Sequence, residues 1–88
     1  MIVKIDLSFE RDTDKIKNKH LLHKIADCIE RVEKSNSIKE IANLKKLKGG
    51  NNYYRIRIGD YRIGMVISEN TVFFERILHR KDIYKKFP

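Results

Sequence analysis

Cysteine and proline occur once each in the 88 residues, as Cys28 and Pro88, and tryptophan is absent. A lone thiol can close no internal disulfide and build no zinc site, and the scattered His20, His23 and His79 do not complete a ligand set. Metal catalysis is therefore not expected, and nothing in the chain calls for a cofactor. No apolar run approaches the length that spans a bilayer, and residues 1–10 carry neither a basic leader nor an apolar block. The expectation is a cytoplasmic protein with no membrane partner. The length suits one domain, residues 1–88, with a modest core, and excludes a dinucleotide-binding fold, a barrel or any large catalytic architecture.

What is present in excess is positive charge. Twenty Lys and Arg oppose twelve Asp and Glu, a net charge of +8 that favours a polyanionic partner, nucleic acid first, over a neutral metabolite. The surplus is uneven: residues up to Leu44 carry +1 and those from Lys45 onward +7. The four glycines, Gly49, Gly50, Gly59 and Gly64, share that second half, which leaves the first free of helix breakers.

Hydrophobic periodicity divides the chain. Ile2 to Leu7 alternates as a half-buried strand. From about Thr13 to Lys34, Ile16, Leu21, Leu22, Ile25, Cys28, Ile29 and Val32 recur at helical spacing, which gives one helix, or two with a break near Asn18. Ser37 and Glu40 form a capping-box pattern, which predicts a short third helix ending near Lys48. After Gly49 the period becomes two. Tyr53 to Ile58 and Tyr61 to Ile67 flank Gly59-Asp60, a two-residue type II′ hairpin with Ile58 opposite Tyr61 and Arg57 opposite Arg62. Glu69-Asn70 turns into a third strand, Thr71 to His79, with Met65 near Phe74 and Gly64 near Glu75. The fold class is α/β, more narrowly α+β: an N-terminal strand, then a helical hairpin packed on a mainly antiparallel sheet, then a short C-terminal helix or tail.

In that register one sheet face holds Tyr54, Ile56, Ile58, Tyr61, Ile63, Met65, Ile67, Val72, Phe74 and Leu78, the core side. The other holds Arg55, Arg57, Arg62, Gly64, Val66, Phe73, Glu75, Ile77 and His79, with no apolar segment left to cover it. Arg57 across from Arg62 is a like-charge pair that costs about a few tenths of a kcal/mol. A phosphate between the two guanidinium groups converts repulsion into charge-assisted bonding. Gly64 leaves room for a ribose beside them. The plain alternative is an exposed strand that uses arginine for solubility and edge protection. Arg76 falls on the core side, so either it pairs with a helix carboxylate near a sheet end or a bulge reverses the strand's facing.

Metal-free RNA cleavage needs a base for the 2′-hydroxyl, cations for the phosphorane and an acid for the leaving oxygen. His79 has a suitable ordinary pKa, Arg57, Arg62 and Arg80 supply charge, and Tyr84 stacks on a base or orients the phosphate. Read without function, His79 is an ordinary loop histidine and Tyr84 an edge cap. Lys45, Lys46, Lys48, Arg55 and Lys81 are the RNA-binding candidates; the lysine run reads more readily as a solvated helix end than as a specific site, and it still attracts RNA. His20 and His23 are surface residues.

Leu44-Lys-Lys-Leu47-Lys48-Gly49, then Tyr54-Arg-Ile-Arg57-Ile-Gly59-Asp60-Tyr61-Arg62-Ile, then Ile77-Leu-His79-Arg80-Lys81-Asp82-Ile83-Tyr84 together resemble the RelE/ParE toxin superfamily of type II toxin–antitoxin systems. The resemblance spans nearly the whole chain. It implies a toxin neutralised by a wrapping antitoxin in a toxin–antitoxin hetero-oligomer. RelE-like members cut mRNA in the ribosomal A site and ParE-like members poison DNA gyrase; the arginine-rich open face makes a ribosome-dependent, metal-independent mRNA endoribonuclease the favoured reading, with ribosome and mRNA as partners. A gyrase-directed or catalytically inactive relative is the alternative. Arg62, Arg80 and Tyr84 match positions of the RelE-like pattern, whereas Arg55 and Arg57 stand where catalytic lysines are common; a guanidinium is a poor general base.

Overall fold

The computed structural model describes residues 1–50 and 52–88. In chain order its elements are β1 (Ile2–Ile5), α1 (Leu7–Asp14), α2 (Lys19–Lys34), a 3-10 turn (Ile38–Glu40), β2 (Leu44–Lys46), β3 (Tyr53–Ile58), β4 (Tyr61–Ser68), β5 (Thr71–His79) and α3 (Ile83–Lys86). The strands form one sheet in the order β1-β5-β4-β3-β2; β1 runs parallel to β5 and the other neighbours are antiparallel.

The amphipathic stretch breaks where expected: Asn18 caps α2, its side-chain oxygen accepting the Leu21 N–H at 3.1 Å. The first helix, however, starts at Leu7 rather than near Thr13, because the strand ends at Ile5 and Asp6 takes the extended N-cap conformation. Only Phe9 and Asp12 of α1 are fully buried, so the helix shows no apolar stripe to a periodicity reading. Phe9 meets Phe74 edge-to-face at 5.5 Å and joins Ile25 and Val32 of α2 over the core side of the sheet.

The expected third helix is corrected. Ser37 makes no side-chain cap bond, and the Glu40 carboxylate accepts the N–H of Asn36 instead of Ser37. The 3-10 turn ends as Ile41 turns extended, and Asn43, at φ 63°, takes the left-handed conformation just before the strand. Leu44 to Lys46 then adds to the free edge of β3, Leu44 pairing with Ile56 so that its side chain joins the core. Helical spacing lost here to an available strand edge.

The Gly59-Asp60 hairpin forms in the expected register, Ile58 with Tyr61 and Arg57 with Arg62, and Gly59 has φ 55° while Asp60 has no positive φ, as type II′ requires. The next pair of strands departs from expectation. Met65 pairs with Phe74, but Gly64 pairs with Arg76, and Glu75 is the extra residue of a β-bulge. Every residue of β5 after the bulge changes face. Ile77 is in the core, 1% exposed, in the place expected of Leu78, and Leu78 lies beside Arg62 on the opposite side.

That opposite side is also partly covered, contrary to the sequence expectation. Ile83 of α3 and Phe87 just after it are 0% and 3% exposed, and the Phe87 ring meets Tyr53 edge-to-face at 5.6 Å. A Cβ built on Gly64 would stand 2.6 Å from that ring. The space that glycine opens is filled by the chain's own tail, not left for a ribose.

Candidate cationic site

β3 and β4 supply the centre of the site. Arg57 and Arg62 are directly paired across the strands, Arg57 exposed and Arg62 half-buried. Arg62 folds back on the hairpin: its Nη1 donates to the carbonyl oxygens of Gly59 and Tyr61, both at 2.9 Å. Two fixed acceptors hold one nitrogen, so the other guanidinium donors stay free for an anion. The Arg80 N–H donates to the Asp60 oxygen at 2.7 Å, which seats Arg80 at the same turn. Among the described residues none of Arg55, Arg57, Arg62 and Arg80 has a carboxylate in ion-pair contact.

Arg55 lies two pairs along from this centre, on the same face, between Lys45 and Gly64. Its Nη1 donates to the Asn43 oxygen at 2.9 Å, while its buried Nε has no partner. The pairing puts Lys45 on the arginine side. Lys46 pairs with Tyr54, which packs on the core, and Lys48 follows the end of β2; both side chains are exposed. The three lysines expected to act as one patch are therefore divided between two sides of the strand and its end.

The bulge relocates His79. Its cross-strand partner is Tyr61, whose ring it meets edge-to-face at 5.6 Å, and Tyr61 packs against the core. The imidazole thus sits on the helix side of the sheet end, not among the arginines as the unbulged register implied. Its Nδ1 accepts the Lys81 N–H at 3.1 Å, which in the neutral ring leaves the proton on Nε2. Lys81 is exposed beside it, and Tyr84, 58% exposed, stands on α3 next to the buried Ile83.

Arg76 and Asp12 carry a role that sequence reading reached only in part. Arg76 meets Asp12 of α1 through Nε at 2.8 Å and Nη2 at 3.0 Å, and this bonding holds its guanidinium above the ordinary arginine range. Both alternatives left open for Arg76, a helix carboxylate and a bulge, are realised together. The spacing of Phe9 and Asp12, three apart on one helical face, is the signal that points at Asp12.

The arrangement is a half-open cationic platform toward one end of the sheet: two arginines paired across β3 and β4, a third arginine seated at the turn, a fourth beside the lysine of the edge strand, and an exposed phenol on the adjoining helix. It can bind and stabilise a phosphate that gains negative charge.

Comparison with known proteins agrees with this architecture. Residues 3–84 match the family model described as ParE toxin of type II toxin-antitoxin system, parDE. Toxin RelE3 of Methanocaldococcus jannaschii is 47% identical over 70 residues, covering 78% of this chain and 80% of that protein. The crystal structure of the RelB-RelE antitoxin-toxin complex from Methanococcus jannaschii contains a chain 40% identical with a TM-score of 0.81, covering 97% of this chain and 99% of its own length. At 22% identity, a chain of the RelBE2 toxin-antitoxin complex from Mycobacterium tuberculosis has the same fold, with a TM-score of 0.70 over 90% of this chain and 96% of that one. A helical hairpin packed on a mainly antiparallel sheet is thus shared architecture, and the chain belongs to the RelE/ParE superfamily of toxins from type II toxin–antitoxin systems.

Proposed function

We propose that the protein is a cytoplasmic toxin that cleaves mRNA on the ribosome and is silenced by a cognate antitoxin. The observation that carries this reading is the unpaired Arg57–Arg62 juxtaposition beside the Gly59-Asp60 turn, a costly arrangement for stability alone and a fitting one for a phosphate. The 2′-hydroxyl gives its proton to water as its oxygen bonds to the adjacent phosphorus, and the 5′-oxygen takes a proton from water as its bond to phosphorus breaks. Arg57, Arg62 and Arg80 neutralise the charge that builds on the phosphoryl oxygens. Tyr84 stacks on a base, and Lys45, Arg55 and Lys81 attract the strand, with Lys46 and Lys48 adding a screened, sequence-independent pull, while His79, turned to Tyr61 on the helix side, stands outside this step. The high identity to RelE3 supports the RNA reading, and the complex formed by the 40%-identical RelE chain supports the antitoxin.

The test is single-turnover incubation with translating ribosomes and mapping of mRNA ends. New ends that depend on the ribosome and vanish in Arg62→Ala are expected; intact mRNA overturns the nuclease. A second reading, inhibition of DNA gyrase by binding alone, is favoured by the ParE family match and by the placement of His79 away from the arginines. A supercoiling assay reads it directly.

A further inference from the structure

The two edges of the sheet differ in chemistry. β2 carries Lys45 and Lys46 at one edge, a like-charged border that repels another copy of itself. β1 forms the other edge and has no neighbour on its outer side among the described residues. The N–H groups of Ile2 and Asp6 turn inward, donating to the Asn70 and Phe74 oxygens at 2.8 and 2.9 Å. Backbone groups alternate along a strand, so those of Val3 and Ile5 point outward and are free to pair.

The side chains at this edge are apolar where an unpaired strand needs charge. Ile2, Ile5 and Leu7 are 54%, 39% and 58% exposed, three of the five exposed large apolar residues among those described. Lys4 and Asp6 flank Ile5 on the side of the strand that Lys4 shares with Phe73, and neither has an ion-pair partner among the described residues. Asp6 lies near Glu75, whose carboxyl is raised by partial burial and then by the charge of Asp6, so the position favours an incoming cation.

A second copy of the strand meets these needs in one register only. Because the outward groups belong to Val3 and Ile5, a two-fold antiparallel pairing centres on Val3, Lys4 or Ile5. The first sets Lys4 against the partner's Ile2, and the second sets two Lys4 ammonium groups against each other. Centring on Ile5 sets Lys4 against the partner's Asp6, Ile5 against the partner's Ile5 and Val3 against the partner's Leu7. Charges are then paired on one side of the strand and aliphatic groups meet on the other, while the Ile5 pair exchanges two backbone hydrogen bonds. RNA gains nothing at such an edge, because one lysine and one carboxylate cancel and the rest is aliphatic.

We infer that the free toxin self-associates through β1 into a two-fold dimer in which the two sheets run on as one. The inference needs neither RNA cleavage nor an antitoxin. Arg57 and Arg62 stand on β3 and β4, with β5 between them and β1, so both arginine sites stay open in the dimer. The edge is short and each copy carries +8, so the association is weak, with a Kd on the order of tens of micromolar.

Sedimentation equilibrium of the free chain from about 1 to 200 μM brackets that value. Lys4→Asp or Asp6→Lys alone sets like charges opposite each other and should weaken dimerisation about tenfold or more, whereas Lys4→Asp with Asp6→Lys should restore it. A thermal melt of each variant separates lost pairing from lost folding. In a Cys28→Ser chain, oxidation should cross-link Ile5→Cys to its own copy, since the paired Cα atoms stand about 5.5 Å apart, and leave Val3→Cys and Lys4→Cys unlinked. A chain monomeric at every concentration overturns the inference, as does a dimer indifferent to both single charge reversals or one cross-linked through Val3→Cys or Lys4→Cys instead. A monomeric free chain whose Val3 and Ile5 amides gain protection from exchange only in an antitoxin complex assigns the edge to the antitoxin and overturns it too.

Discussion

Asp12 on α1 accepts both Nε and Nη2 of Arg76 and, through Oδ2 at 3.0 Å, the backbone N–H of Ile77 immediately after the bulge. One carboxylate, 5% exposed, thereby stands in for the strand neighbour that β5 lacks once β1 has ended at Ile5. Asp12→Ala leaves a buried amide unpaired and a guanidinium without its partner, and should cost about 2–3 kcal/mol in urea unfolding. Asp12→Asn retains an acceptor for one donor and should cost less. Equal stability of all three proteins would show that the bulge holds without Asp12.

Arg62→Ala should fold normally, because the change removes a like-charge contact and two hydrogen bonds at an accessible turn. Single-turnover cleavage on ribosomes should nevertheless drop by on the order of 10² or more, the scale expected when a preorganised charge stabiliser is lost. Arg62→Lys should recover only part of that, since an ammonium lacks the planar fork. Full activity in a folded Arg62→Ala protein removes the proposed mechanism.

The tail contact between Gly64 and Phe87 is directly measurable. Gly64→Ala forces its methyl against the Phe87 ring and should destabilise by about 1–3 kcal/mol, while Phe87→Ala should cost about 3 kcal/mol through the cavity it leaves. In the double variant most of the Gly64→Ala penalty should vanish, because the obstructing ring is gone. Additive losses would mean that the tail does not lie on Gly64 in solution.

The divided lysines give a graded expectation for RNA affinity. Lys45, on the side of Arg55, should contribute more than Lys46 or Lys48 when each is changed to Ala and binding is followed against salt. A steeper loss from Lys46→Ala would place the RNA on the core-side edge of β2 instead.

Glu75 gives stability a pH dependence. Partial burial, and secondarily the charge of Asp6, raise its carboxyl above the ordinary glutamate range. The proton is therefore bound more tightly in the folded chain, so the fold is favoured below the unfolded pKa and loses that advantage as pH rises through the folded one. Glu75→Gln should raise the melting temperature relative to the parent more at pH 7 than at pH 4. An equal difference at both values would assign the effect to something other than this titration.

By itself the sequence determined the elements that depend on near neighbours. The Asn18 break, the hairpin register that sets Arg57 against Arg62, and the apolar side of β3 and β4 follow from a cap residue, a glycine turn and a period of two, all local to a few residues. The motifs that resemble the toxin superfamily are contiguous for the same reason, and the family match over residues 3–84 agrees with them. Only the tertiary structure decided what depends on distant partners. Leu44 to Lys46 became a strand because β3 offered an unfilled edge; the bulge at Glu75 formed against Asp12, which lies 64 positions from Arg76; and Phe87 closed over Gly64 from the far end of the chain. Because side chains in a strand alternate sides residue by residue, that one inserted residue was enough to turn Ile77 into the core, bring Leu78 beside Arg62 and carry His79 to Tyr61, away from the arginines.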